Sequence, residues 1–118
     1  MSDQLENHSS PIEVEIVQRI QELDLPSIQK HHVRLLTHCL AIFKNIALSN
    51  DGLFPNDALL KNWCESEAKK INDITFSDLL FDQMTAAARK LEIHSEKISK
   101  SKLDFNLDDL VNLVCENY

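Results

Sequence analysis

The chain has 118 residues, 43% of them hydrophobic and 26% charged, with a net charge of −7. That length buries roughly two-thirds of the unfolded surface without a disulfide or metal staple, and that composition excludes a disordered chain. One glycine and three prolines are too few for the tight turns of an all-β fold, and no apolar run exceeds Cys39–Phe43, so a transmembrane helix of about twenty residues is excluded.

The fold class that follows is all-α: a compact bundle of about five helices around a long central helix at residues 28–48. Residues 1–9 carry almost no apolar side chains and read as a disordered tail, with 10–118 forming a single helical domain. Ser10, Pro11 and Glu13 compose a capping box with proline at the first helical position. Ile12, Ile16, Val17, Ile20 and Leu23 follow at helical spacing, and Pro26 predicts an end near Asp24.

Ser27 is the expected cap of the central helix. On a wheel of about 100° per residue, Ile28, Leu35, Leu36, Cys39, Leu40, Ile42, Phe43, Ile46 and Ala47 fill one half. An apolar face that wide needs at least two neighbours. Ser49–Gly52 ends the helix, with the only glycine placed for a left-handed stop.

A third helix is expected over roughly 56–70, with Leu59, Leu60, Trp63, Cys64 and Ile71 as its stripe. Asn72 and Asp73 break the pattern, and Thr75–Asp78 reads as a capped start. Phe76, Leu80, Met84, Ala87 and Leu91 then repeat at helical spacing, and Ala86–Ala88 offers a low-bulk face for close helix approach. Residues 94–106 are polar and basic, a helix extension or linker before the C-terminal helix. Asn106 caps that last helix, Asp108 and Asp109 suit its dipole, and Leu107, Leu110, Val111 and Val114 form its stripe.

Charge is uneven along the chain. Residues 1–25 carry −5 and 104–118 carry −4, while 26–103 carry +2. Acidic ends repel phosphate backbones and anionic membranes. A basic patch at Arg89, Lys90, Lys97, Lys100 and Lys102 is the one local exception, and the alternative function it suggests is a regulator contacting nucleic-acid phosphates. No aromatic residues interleave with those bases, and seven residues separate the second and third helices, which is too long for a helix-turn-helix.

No catalytic constellation is visible. There is no GxSxG, P-loop or GxGxxG, and one glycine cannot build a phosphate-cradling loop. His31 and His38 are about 10.5 Å apart along the helix axis, too far to share an ion, and no HxxxH or ExxH occurs. No metal, cofactor or enzyme activity is therefore expected. Charging His32 within the apolar half is expected to loosen the packing below about pH 6.

Cys39, Cys64 and Cys115 are odd in number and lack a CxxC, which fits reduced, mostly buried thiols. With no basic, apolar leader in the first ten residues, the expected location is cytoplasmic. The function expected is a small protein–protein interaction or regulatory module. Its partner is another protein or a second copy of the chain, with nucleic acid and membrane not expected. The candidate surface is His31, Arg34, His38 and Asn45 on the central helix, with Leu107, Leu110, Val111, Val114 and Tyr118 at the C-terminus.

Overall fold

Apolar residues at three- and four-residue spacing fold into helices in the computed structural model, which describes residues 14–117, the last by its backbone alone. Five α-helices and no strand occur among the described residues. They are α1 (Val14–Gln21), α2 (Ser27–Leu48), α3 (Asp57–Lys70), α4 (Thr75–Ile98) and α5 (Leu107–Asn117), with a 3₁₀ turn at Lys102–Asp104. The all-α expectation holds. The tail at 1–9, the capping box at Ser10–Glu13 and Tyr118 lie outside the described residues.

The elements group into two units. One comprises residues up to Ile42 together with those from Phe105 onward, and the other is Phe43–Asp104. In the first, Ile20 of α1, Val33, Leu36, Leu40 and Ile42 of α2, and Phe105, Leu110, Leu113 and Val114 are buried. In the second, the buried set is Phe43, Ile46 and Ala47 from the end of α2, Leu60, Cys64 and Ala68 of α3, and Ser77, Met84, Ala87, Leu91 and His94 of α4. The helices α3 and α4, joined by four residues, pack along each other as a hairpin. Small residues serve that approach: Ala68 and Ala87 are both buried, whereas Ala86 faces outward.

Three helices end in one way. Gly52 N–H donates to the Ala47 carbonyl at 2.8 Å, Asp73 N–H to Ala68 at 3.0 Å, and Lys100 N–H to Ser95 at 3.1 Å. The residue before each donor is left-handed: Asp51 (φ 62°), Asn72 (φ 55°) and Ser99 (φ 54°). This is the Schellman termination, with a non-glycine residue in the left-handed position every time. Gly52 itself has φ 73°, one residue beyond the position expected for it.

Several sequence expectations shift. α2 begins at Ser27, with the Pro26 carbonyl accepting from Lys30 N–H at 3.1 Å, so Ser27 lies inside the helix and does not cap it. α4 has Ile74 at its N-cap, whose apolar side chain cannot cap it, and the Thr75 hydroxyl donates to the Asp73 carboxylate at 2.7 Å. At 24 residues α4 is longer than the 22-residue α2, since the polar run from His94 continues the helix to Ile98 before the turn. His94 extends the stripe of Met84, Ala87 and Leu91 and is buried, where a solvated residue was expected. Ile71, expected in the α3 stripe, is exposed beyond the helix end.

Candidate protein-binding surfaces

The corner between α1 and α2 is set by Pro26, which keeps Leu25 out of helical geometry and separates the two elements. Across it, Lys30 Nζ donates to the Gln21 carbonyl at 2.7 Å, placing a cation on the last residue of α1 where the helix dipole is negative. A cleft of about 220 Å³ lies beside this contact, lined by Ile20, Gln21, Ser27, Lys30, His31 and Arg34. Drug-sized ligands occupy roughly 300 Å³ or more. This cleft is smaller than that.

His31 and Arg34, two of the expected surface residues, therefore share this cleft and are exposed. His38 lies one to two turns on and is half-buried, and burial holds its pKa below the ordinary 6.5. Asn45 is exposed but falls in the other unit. His32 is half-buried and not in the core, its ring edge-on to His31 at 6.0 Å between centroids and 60° between planes.

Ile28 and Leu35 complete this edge. Helical spacing puts them on the same arc as Ile42 and Ile46. Ile42 and Ile46 are buried, yet Ile28 is 62% exposed and Leu35 41% exposed. Along this edge α2 is covered toward its C-terminus, at Ile42 and Ile46, and open toward its N-terminus, at Ile28 and Leu35, while Val33 and Leu36 on the adjoining arc are buried. The edge presents Ile28, His31, Leu35 and the half-buried His38 at successive three- and four-residue intervals.

The C-terminal helix corrects the expected surface. Asn106 and Asp109 form a capping box, each backbone N–H donating to the other's side chain at 2.9 Å. From that start Leu110, Leu113 and Val114 are buried, and Leu107 and Val111 are half-buried. Leu110 and Val114 belong to the core of the first unit and cannot meet a partner. An amphipathic terminal helix has the same sequence pattern whether it packs on its own chain or on another, and here it packs on its own.

The basic stretch divides as well. Arg89, Lys90 and Lys97 are exposed, while Lys100 is half-buried. Lys102, also half-buried, donates to the Glu92 carboxylate, and its ammonium sits 4.1 Å from the centroid of the Phe54 ring. Phe54 in turn tilts against Phe43 at 4.8 Å. The hydrogen bond from Lys102, then its charge, hold the Glu92 carboxyl below its ordinary pKa. Lys102 thus acts within the fold and is withdrawn from any phosphate-binding set.

Of the cysteines, Cys64 is buried, Cys39 is half-buried and Cys115 is exposed. Burial pushes the Cys39 thiol up to about 11. Among the described residues no three His, Cys, Asp or Glu side chains come together as a metal site, and no helix is long and apolar enough to cross a membrane.

Over residues 12–117 the chain matches the family model described as NDH complex assembly factor CRR9. No curated protein and no solved structure matches it. The match covers most of the chain, and an assembly factor implies contact with other proteins. It also overturns the cytoplasmic location expected from the sequence, because the family's factor is associated with the chloroplast thylakoid. The thiol argument separates oxidising from reducing compartments and does not distinguish one reducing compartment from another.

Proposed function

The chain belongs to the CRR9 family of NDH complex assembly factors, and from that membership we propose that it works in NDH complex assembly as a protein-binding module without a catalytic site of its own. The family match over residues 12–117 carries this reading. The open edge of α2 supports it: Ile28 and Leu35 leave apolar surface in water beside a small cleft. Arg34 and His31 at the cleft give a partner side chain hydrogen-bond donors, which suits a carboxylate projecting from an apolar segment. The partner is an NDH complex component or a second copy of the chain. A nucleic-acid role is weaker, because Lys102 is already paired and the chain as a whole is acidic.

Complementation tests this reading. Cells lacking the chain should accumulate less NDH complex, the wild-type chain should restore it, and Leu35→Asp with native helicity should restore it poorly. Unchanged NDH complex in cells lacking the chain would remove the assembly role. Full rescue by Leu35→Asp would remove the α2 edge as the contact.

A further inference from the structure

On α4, opposite the buried stripe of Met84, Ala87, Leu91 and His94, runs a second face about 120° wide. Leu79, Asp82, Ala86, Lys90 and Ile93 lie on it and all are exposed, Leu79 at 67% and Ile93 at 60%. Its arrangement is antisymmetric about Ala86. Leu79 stands seven residues before Ala86 and Ile93 seven after; Asp82 stands four before and Lys90 four after. Gln83 and Arg89, both exposed, sit three residues to either side.

We propose that this face is a self-association surface on which two copies of the chain pair α4 antiparallel, about a two-fold axis at Ala86. Rotation about that axis brings Leu79 of one copy onto Ile93 of the other, and Asp82 onto Lys90, twice each by symmetry. A parallel pairing sets Asp82 against Asp82 and Lys90 against Lys90, so charge selects the antiparallel arrangement. Ala86 at the crossing keeps the axes close, within the 8–10 Å typical of packed helices.

This occupant is favoured over an unrelated partner because the face is complementary to itself: acidic before Ala86, basic after it, and apolar at equal distances on both sides. With two large apolar side chains per copy, the contact is a small one, and association is concentration-dependent. The inference rests on the chain being a protein-binding module and names one of its surfaces. Lys90 and Arg89, read from the sequence as a phosphate-binding patch, here receive carboxylate and amide partners from the second copy.

Charge swapping tests it. Sedimentation equilibrium of the intact chain, taken up to about 1 mM, the weak end of specific association, should show twice 13.5 kDa. Asp82→Lys alone and Lys90→Glu alone should each weaken association at least tenfold, and an equimolar mixture of the two variants should restore it, since each supplies the charge the other lacks. In a Cys115→Ser background, Ala86→Cys should form a disulfide with its own copy on mild oxidation. A chain that stays at 13.5 kDa throughout, a dimer indifferent to both reversals, or a mixture that does not associate each overturns the proposal. A monomeric chain that still co-purifies with the NDH complex removes this surface and leaves the assembly reading standing.

Discussion

The Lys102 ammonium lies over the Phe54 ring, 4.1 Å from its centroid, while donating to Glu92 on α4. The 3₁₀ turn is thereby tied back to the helix it follows and to the loop before α3. Removing it with Lys102→Met should lower stability by about 0.5–1 kcal/mol, the usual value of an exposed cation–π contact. Urea denaturation measures this. The Glu92 share has a known sign: a carboxyl held below its ordinary 4.5 stabilises the fold above that pH and stops doing so as pH falls through its lowered value. The gap between wild type and Lys102→Met should therefore narrow in strong acid.

The reciprocal cap of α5 gives a second prediction. Asn106→Ala frees the Asp109 N–H and should cost about 1 kcal/mol. Thermal unfolding reads the loss, and because Leu110, Leu113 and Val114 follow directly, fraying should also raise amide exchange in α5.

Left-handed Ser99 should prefer glycine. Ser99→Gly relieves a conformation that costs a side-chain-bearing residue roughly 1 kcal/mol, so stability should rise by a few tenths to about 1 kcal/mol in chemical denaturation. Asn72→Gly should gain less, since asparagine tolerates this region better. A loss at Ser99 would show that its side chain makes up for the backbone strain.

His38 contributes acid sensitivity to α2. Its pKa is lowered by burial, so the unfolded chain takes up this proton first and stability falls as pH drops below 6.5. His38→Gln should flatten that part of the profile when urea midpoints are compared just above and about one unit below 6.5.

What the sequence revealed was whatever repeats or caps. α2 was placed within one residue because its periodicity runs unbroken for six turns, and Asn106 was recognisable because a capping residue precedes two aspartates and an apolar run. Periodicity names the residues that share a face and is silent on how much of that face is covered. For that reason Ile28 and Leu35 were assigned to the core along with Ile42, and Leu110 and Val114 to a partner. His94 was hidden by its polarity: it occupies a core position that the pattern of apolar residues skips. The left-handed stop after α2 is marked in the sequence by Gly52, although Asp51 takes the first left-handed position, whereas the one at Ser99 has no glycine or asparagine to mark it.

The most direct measurement is gentle affinity purification of the tagged chain from its own source, without chelator, followed by native mass spectrometry. The expected result is the 13.5 kDa chain in complexes with NDH complex components, lost with Leu35→Asp and not with Lys102→Met. Recovery of the chain carrying only a small molecule, or with no NDH complex component at any stage of assembly, would contradict a role exerted through protein contacts.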